Sequence, residues 1–261
     1  MNKTEKELAF LRDLYITPDW TARFTNIFDE NFKFTDERTI LYVNPGTGDH
    51  AIELRRKLKG DAQLKTFGEN PELNRIAQAK ADIVKAKINF TNDFPRQSFD
   101  AVIADASLVE PKNLSEFFKD AAGASDKQVV IFLPTASSFG EIFSFLWETF
   151  FAIEMHDKAA EVERLILEIP PVSKVEQMAA EFDLTRIETV TKTEFFDFKD
   201  GAEFVASPLV ADFLFPVWLD FLNEKEKERV RKKLAQIVDT DDGALNFRFS
   251  VKATLVSGEK K

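Results

Sequence analysis

Short apolar runs alternate with longer amphipathic patterns over residues 38–135 of the chain. Apolar runs bounded by turn residues predict buried strands, whereas apolar residues three and four positions apart predict helices. The predicted strands lie at residues 39–43, 63–67, 87–91, 99–104 and 128–133. The predicted helices between them lie at residues 49–59, 71–85 and 113–122. Strands that alternate with crossover helices predict an α/β fold with a doubly wound parallel sheet.

The pattern on either side of this region is mainly helical. Two N-terminal helices are predicted at residues 5–15 and 20–28, with a break at Thr17-Pro18-Asp19 because proline disfavours a helical residue before it. The elements predicted after the region are a Phe-rich helix from about Ser138, a helix at 173–182, strands at 185–196 and 246–256, and between these strands a helical insertion at 202–222 and a charged helix at 224–238.

No linker or internal repeat separates these elements, so we expect one domain over residues 1–261. Within it we distinguish an N-terminal helical cap (1–37), a core (38–135) and the remaining sheet (136–261), which carries the helical insertion at about 201–238.

Charge and composition narrow the classes of function. The 35 Lys and Arg residues against 45 Asp and Glu give a net charge of −10, which opposes binding to nucleic acid. The chain has no Cys and only two His, His50 and His156, so we expect no disulfide, no thiolate chemistry and no metal site. Acidic residues interrupt the two longest apolar stretches, and the first residues lack the apolar segment of a secretory signal. We therefore expect no membrane span and a cytoplasmic location.

The loop after the first predicted strand is the most informative segment, and it reads Asn44-Pro45-Gly46-Thr47-Gly48. Glycine allows a backbone to approach a ligand closely, and the free N–H groups of the following helix suit a polar or anionic group. In open α/β sheets, ligands bind beyond the carboxyl ends of the strands, which is where this loop lies. Two interpretations stay open from these residues alone: a ligand-binding loop and an ordinary turn between a strand and a helix.

Three stretches, in order, resemble the class I S-adenosylmethionine-dependent methyltransferases. The first is GTG at residues 46–48, followed by AIEL at 51–54. The second is GENPEL at 68–73, followed by AQAK at 77–80, and the third is FPRQSFDAVI at 94–103. The resemblance covers most of the chain. It implies a Rossmann-like sheet of seven strands with an antiparallel last strand at 246–256, the cofactor S-adenosylmethionine and a small-molecule substrate.

The resemblance also implies roles for individual residues. The glycine loop would lie under the methionyl part of the cofactor, an acid after the second strand would bind the ribose hydroxyls, and the next loop would approach the adenine. The cofactor residues implied in this way are Asn44, Gly46, Thr47, Gly48, Glu69, Asn70, Asn92 and Asp93. Asp105, at the end of the fourth strand, would face the substrate and is the candidate catalytic base. His156 is a second candidate base, although an ordinary position at a helix end also explains it.

Several positions depart from the family pattern. Tyr42 stands in place of the usual acid of the first motif, and Asn44 in place of its first glycine. Gly68 stands where the ribose-binding acid is expected, with Glu69 one residue later. These departures keep two alternatives open: a non-catalytic interaction protein on the same fold with weakened or lost cofactor binding, and a nicotinamide-dependent oxidoreductase. The oxidoreductase would need a fuller GxGxxG motif than this loop has.

Phenylalanine is unusually frequent, with 27 Phe against two Tyr. Phe139 and Phe143 follow helical spacing in a segment that is apolar nearly all round, which fits either a core or the wall of an apolar pocket. By resemblance to the family, Tyr15, Trp20 and Phe24 of the N-terminal helices are further pocket candidates. We therefore expect a methyltransferase that acts on a small apolar or aromatic acceptor. The acceptor atom and the oligomeric state stay open.

Overall fold

The computed structural model describes residues 3–58, 60–241 and 246–261. The strands are β1 (Thr39–Val43), β2 (Gln63–Phe67), β3 (Asn89–Thr91), β4 (Phe99–Asp105), β5 (Ser125–Thr135), β6 (Leu184–Phe198) and β7 (Phe247–Lys260). The helices are α1 (Glu5–Leu11), α2 (Ala22–Asn31), α3 (Asp49–Lys57), α4 (Pro71–Ile83), α5 (Leu114–Gly123), α6 (Gly140–Ala152), α7 (Ala159–Glu168), α8 (Val172–Glu181), α9 (Gly201–Ala206), α10 (Phe215–Trp218) and α11 (Glu224–Asp241). The last position of the helix predicted at 49–59 lies outside the described residues.

The seven strands form one sheet in the order β3-β2-β1-β4-β5-β7-β6. Strand β1 pairs in parallel with both β2 and β4, and β2–β3 and β4–β5 are parallel as well. Thr185 of β6 bonds to Glu259 of β7, and Thr191 of β6 to Thr254 of β7, so these two strands run antiparallel. The predicted seven-stranded, doubly wound sheet is confirmed. Its strand order reverses between β1 and β4, whose carboxyl ends form the switch point where ligands bind in such sheets.

Burial on both faces explains why the central strands are apolar at successive positions. Ile40 through Val43 are all buried, and so is β4 from Ala101 to Asp105. Helix α4 begins at Pro71 because Asn70 accepts hydrogen bonds from the N–H groups of Glu72 and Leu73. These contacts fix the strand ends and helix starts that surround the switch point.

The predicted break at Thr17-Pro18-Asp19 is wrong, because helix continues from Glu5 to Asn31. Residues Arg12–Thr21 form a π-helix between α1 and α2, and Pro18 lies inside it. A π-helix bonds each N–H to a carbonyl five residues back, so proline removes one of these bonds without the steric clash of an α-helix interior. Wide turns of this kind are often associated with functional sites.

Other differences concern the bounds of elements. The third strand is shorter than predicted, and the insertion predicted as one helix at 202–222 is divided into α9, a π-helix at Leu209–Leu214 and α10. Helix α7 was not predicted as an element of its own, although apolar residues recur along it at helical spacing. In the described ranges, no helix has both the length and the apolar character needed to cross a bilayer.

The chain divides into two compact units. Unit 1 consists of Met1–Leu133, Val172–Thr191 and Ala253–Lys261. It contains the switch point and a core in which Phe99, Phe118 and Val175 are fully buried. Unit 2 consists of Pro134–Pro171 and Lys192–Lys252, and its core is an aromatic cluster formed by Phe139, Phe143, Trp218, Phe204 and Phe249. The single domain expected over residues 1–261 stays a prediction.

Candidate functional site

The loop between β1 and α3 turns sharply at three positions of positive φ. Asn44 has φ +55°, Gly46 +58° and Gly48 +84°. The N–H of Asn44 donates to the carbonyl of Phe67 (2.7 Å), and that of Gly48 to the carbonyl of Pro45 (3.0 Å). Asn44 tolerates the left-handed region better than most residues, which explains how it replaces the first glycine of the family pattern.

The two glycines serve different purposes. A Cβ atom on Gly48 would lie 2.7 Å from Cβ of Ala77 and 2.9 Å from the ring of Phe90, so this glycine allows α4 to pack against the loop. Apart from its chain neighbours, the one described group within 4 Å of a Cβ atom on Gly46 would be the guanidinium of Arg12, at 3.8 Å from Nε and 3.9 Å from Nη2. Gly46 therefore leaves space between the loop and Arg12.

Arg12 belongs to the π-helix and is only partly exposed. Its Nε atom is buried and has no hydrogen-bond partner among the described residues. Burial lowers the pKa of the guanidinium, whereas the negative charge of Asp105 and, less strongly, Tyr42 oppose this shift. A buried charged group without a hydrogen-bond partner lowers the stability of the fold unless a bound ligand supplies that partner.

Asp105, at the end of β4, is the complementary feature. The residue is 2% exposed, and its Oδ1 atom accepts a hydrogen bond from the N–H of Ser107 (2.8 Å). Its Oδ2 atom is buried without a partner in the described part of the chain. Burial raises the pKa of the carboxyl group, and the positive charge of Arg12 is the largest opposing effect. Arg12 and Asp105 thus attract each other electrostatically, but no hydrogen bond or ion pair within the described ranges joins them.

A cavity of about 530 Å³ opens at the carboxyl ends of β1 and β2. The rings of Phe67 and Phe94 form one wall and meet edge to face, with 4.9 Å between their centroids. Glu69 also lines the cavity and is exposed, so its carboxylate is accessible to a ligand. The complete lining is Val43, Asn44, Phe67, Glu69, Phe94, Leu108, Val109, Glu110, Asn113, Glu116, Phe117 and Asp120. The lining thus contains four carboxylates and neither Lys nor Arg.

The structure explains why the acid after β2 stands at position 69. A Cβ atom on Gly68 would lie 2.9 Å from Oδ1 of Asn74, whose Nδ2 donates to the carbonyl of Gly68 (2.8 Å). No larger residue fits at position 68 without a shift of Asn74. The acid is instead supplied one residue later, by Glu69, where the loop has left the strand and the side chain reaches the cavity.

Two predicted cofactor residues hold the backbone in place. The amide oxygen of Asn70 caps α4, and Asn92 donates from Nδ2 to the carbonyls of Gly68 (2.7 Å) and Glu69 (2.9 Å). Asn92 thereby fixes the loop that carries Glu69. Asp93 is exposed and outside the cavity lining, and Thr47 is fully buried with its hydroxyl 3.0 Å from that of Thr17. Cofactor binding by these side chains stays a prediction.

Tyr42, in the place of the family's acid, is part of a buried polar chain. Its hydroxyl lies 2.9 Å from Nδ1 of His50, and Nε2 of His50 lies 3.6 Å from Oδ1 of Asp29. Asp29 forms an ion pair with Lys57 (2.8 Å), and its pKa is lowered to about 2, mainly by His50. Burial raises the pKa of Tyr42 well above its ordinary value. Position 42 therefore links β1 to α3 and α2.

The predicted pocket residues lie apart from the cavity lining. Trp20 and Phe24 are fully buried, and Nε1 of Trp20 donates to the hydroxyl of Ser107 (3.1 Å). Phe139 and Phe143 pack on Trp218 in unit 2, at 4.9 and 5.0 Å between ring centroids. This packing favours the core interpretation of all four residues. Tyr15 is 54% exposed, and its place in a substrate pocket stays a prediction.

His156 is exposed in a short 3₁₀ turn, with its ring 4.9 Å from that of Phe151. Among the described residues, no group of three or more His, Asp or Glu side chains is placed to hold a metal ion.

Arg12 was missed by the sequence reasoning. A signal for it exists, because Arg12, Ile16, Trp20 and Phe24 recur every four residues and the last three are buried. The spacing thus places this arginine on the inward face of its helix.

Comparisons with known proteins match the fold but not the sequence. No family model matches the sequence, and no curated protein does. YcgJ of Bacillus subtilis matches with a TM-score of 0.57 and 13% identity, over 92% of this chain and 99% of that chain. A candidate methyltransferase from Bacillus halodurans matches with a TM-score of 0.55 and 14% identity, over 92% and 99%. Geranyl diphosphate C-methyltransferase from Streptomyces coelicolor, in complex with S-adenosylhomocysteine, matches with a TM-score of 0.51 and 7% identity, over 93% and 79%. The chain therefore has the fold of the class I methyltransferases.

Proposed function

We propose that this chain is an S-adenosylmethionine-dependent methyltransferase. The observation that carries the proposal is a pair of buried atoms without hydrogen-bond partners among the described residues, Nε of Arg12 beside Gly46 and Oδ2 of Asp105 at the end of β4. The methionyl end of S-adenosylmethionine is a zwitterion, with one carboxylate and one ammonium group. Arg12 would bind the carboxylate and Asp105 the ammonium, so that each buried charge gains its partner.

The cavity supports the adenosine half of the same ligand. The carboxylate of Glu69 has two acceptor oxygens, which suit the two hydroxyl groups of a ribose. Phe67 and Phe94 offer apolar ring surface to the adenine. The Streptomyces enzyme of the same fold was crystallised with S-adenosylhomocysteine, which is consistent with this assignment.

The charges of the cavity lining and those beside the glycine loop argue against an oxidoreductase and against a non-catalytic interaction protein. A nicotinamide dinucleotide carries a pyrophosphate, and the cavity lining contains four carboxylates and no Lys or Arg to neutralise it. A non-catalytic interaction protein has no need of unpaired buried charges beside a glycine loop, since these charges destabilise the protein without a ligand.

When bound, S-adenosylmethionine supplies a methyl group activated by a sulfonium. The contribution of the chain is then to hold the donor in one orientation, align an acceptor with the methyl group and exclude water. Arg12, Asp105 and Glu69 would carry out the first task. Asp105 is better suited to binding than to proton transfer in this arrangement, and a base is required only for an acceptor that is protonated at the working pH.

For the acceptor we propose a small molecule with apolar or aromatic character. The apolar residues Leu108, Val109 and Phe117 of the cavity lining support this choice. A screen of radiolabelled methyl transfer to small apolar alcohols, phenols and amines tests it directly. Methyl transfer only to proteins or strongly anionic compounds would contradict it.

Calorimetric titration with S-adenosylhomocysteine tests cofactor binding. We expect binding by the wild type and a loss of roughly tenfold or more in affinity for Arg12→Met, the size of a lost charge-assisted hydrogen bond. Arg75→Met on α4 is the matched control, because Arg75 is exposed and pairs only with Glu72 among the described residues. 5′-Methylthioadenosine lacks the amino-acid end, so Arg12→Met should leave its affinity unchanged.

Absence of S-adenosylhomocysteine binding by folded wild-type protein would overturn the proposal. Equal affinities of the wild type and Arg12→Met would contradict the role of Arg12. Binding of NADH alone would instead favour the oxidoreductase.

A further inference from the structure

A chain of hydrogen bonds joins the π-helix to the end of β4. Nε1 of Trp20 donates to Oγ of Ser107 (3.1 Å), and the N–H of Ser107 donates to Oδ1 of Asp105 (2.8 Å). All three residues are at most 3% exposed. Trp20 and Ser107 are 87 positions apart in the sequence, so the fold brings them together. Trp20 thus reaches, through Ser107, the carboxylate to which we assign the ammonium group of the cofactor.

The indole N–H restricts the direction of the Ser107 hydroxyl. An indole nitrogen can only donate a hydrogen bond, whereas a serine hydroxyl both donates and accepts. Because Oγ of Ser107 accepts from Trp20, the hydroxyl hydrogen is turned away from Trp20 and is available to an acceptor elsewhere. The acidic group on which Ser107 acts is Asp105, whose Oδ2 atom has no hydrogen-bond partner in the described part of the chain.

The charge of Asp105 depends on these contacts. Burial raises the pKa of Asp105, and the charge of Arg12 in the π-helix is the largest effect that lowers it. Hydrogen bonding by the hydroxyl and then by the N–H of Ser107 lowers the pKa further, followed by the charge of His50 on α3. Tyr42 of β1 is a further titratable group that interacts with Asp105. Ser107 therefore favours the ionised carboxylate, which is the form that binds an ammonium group.

Given the proposed function, on which this role depends, we propose that Trp20 and Ser107 are positioning residues for the ammonium group of S-adenosylmethionine. Ser107 holds the Asp105 carboxylate with its N–H and keeps it ionised with its hydroxyl, and Trp20 orients that hydroxyl. Arg12 and Trp20 belong to the same π-helix. This helix would thus act on both charges of the methionyl group, directly through Arg12 and indirectly through Ser107 and Asp105.

Calorimetric titration with S-adenosylhomocysteine tests this role. Ser107→Ala removes the hydroxyl and keeps the N–H that bonds to Asp105, so we expect about fivefold weaker binding, the effect of one hydrogen bond. Trp20→Phe keeps an aromatic ring in the core and removes the indole N–H, and it should weaken binding by about twofold to fivefold. 5′-Methylthioadenosine lacks the ammonium group, so both variants should bind it with the affinity of the wild type.

The pH dependence of binding separates positioning from a general structural effect. Without the Ser107 hydroxyl the pKa of Asp105 should rise, so the carboxylate becomes protonated at a higher pH than in the wild type. The affinity of Ser107→Ala should therefore begin to fall at a higher pH during acidification. Ser125→Ala is the matched control, because Ser125 is also 3% exposed and its hydroxyl donates to the carbonyl of Gln128 (2.7 Å) at the start of β5.

Wild-type affinities and an unshifted pH profile in both variants would overturn this role. An equal loss of affinity for 5′-methylthioadenosine would also overturn it, since a disturbed fold would then explain the weaker binding. Because Trp20 is fully buried, Ser107→Ala decides the outcome if Trp20→Phe does not fold. Absence of S-adenosylhomocysteine binding by the folded wild type would instead overturn the proposed function, so the two failures are distinguishable.

Discussion

Gly46 and Gly48 both have positive φ, yet a methyl group at each would meet different surroundings. We expect Gly48→Ala to lower the free energy of unfolding by about 3 kcal/mol, because left-handed strain adds to a clash with Ala77 and Phe90. Gly46→Ala should cost only about 1 kcal/mol, since it meets no close contact. Urea denaturation of both variants measures the difference. Equal losses would contradict the distinct roles of the two glycines.

Asp100 should contribute to stability in a pH-dependent way. Its carboxylate accepts hydrogen bonds from the N–H groups of Arg38 (2.8 Å) and Thr39 (3.0 Å) and pairs with Lys127 (3.0 Å). These contacts, the Arg38 bond first, lower its pKa to about 2, against about 3.9 in an unfolded chain. A lowered carboxyl pKa stabilises the fold above pH 4, and this contribution is lost as the pH falls toward 2.

Asp100→Asn should therefore destabilise the protein by about 1–2 kcal/mol at pH 7. The difference from the wild type should shrink between pH 4 and pH 2, as measured by denaturation at a series of pH values. Asp126→Asn, at an exposed neighbouring position, is the control and should show neither effect. A difference that stays constant over this pH range would mean that the carboxylate charge is not responsible.

At the scale of residues, the position of the loop after β1 indicated Gly46, and the family resemblance implied Glu69 and Asp105. The structure places all three near the carboxyl ends of β1, β2 and β4. Asn70 and Asn92 proved to hold backbone groups, a role that depends on loop geometry rather than on residue type. Arg12 was missed because nothing in its local sequence shows that its helix passes over Gly46, 34 positions later.

At the scale of elements, the π-helix at Arg12–Thr21 begins with Arg12, whose guanidinium lies beside Gly46 of the glycine loop. Lys80 of α4 fixes this segment, because it pairs with Asp13 of the π-helix and with Asp49 at the start of α3 (2.6 Å). The hydroxyl groups of Thr17 and Thr47 add a second connection. The segment that supplies the proposed carboxylate-binding group is thus held by a side chain of α4 and by one of the loop between β1 and α3.

Lys80→Met should release this segment while leaving the fold intact. We expect faster amide hydrogen exchange over Arg12–Thr21 and weaker S-adenosylhomocysteine binding, by about threefold to tenfold, since Arg12 loses preorganisation. The matched control is Arg75→Met on the same helix, where exchange and affinity should both stay unchanged. Unchanged exchange in Lys80→Met would show that the ion pairs do not hold the segment.

Helices and strands were predicted correctly where hydrophobic periodicity is strong. They were missed where contacts between distant parts of the chain determine the local structure. The strands at residues 39–43 and 63–67 have the predicted bounds because their alternation with turn residues is sharp. The prediction failed at Pro18, where the chain accommodates proline by widening the helix rather than by ending it. The strand order was not predicted, since pairing between β1 and β4 joins residues about 60 positions apart and no local pattern specifies it.

At the scale of the whole molecule, strands β5, β6 and β7 each contain residues of both compact units. Because these strands are continuous, we expect unfolding to be one cooperative transition, in agreement with the single domain predicted from the sequence. A ligand that binds only the folded state then raises the stability of the entire chain. At a concentration 100 times its Kd, S-adenosylhomocysteine should add about 2.7 kcal/mol.

For a chain of this size, that stabilisation corresponds to a rise in Tm of roughly 5–10 °C. Differential scanning calorimetry should show a single peak that moves as a whole, and about half that displacement for Arg12→Met at the same ligand concentration, because a tenfold weaker ligand adds only about 1.4 kcal/mol. Two peaks, of which only one responds to the ligand, would mean that the units unfold separately and that the strands do not couple them. The same experiment thus tests the domain prediction and the proposed cofactor site independently, since the number of peaks reports the first and their displacement the second.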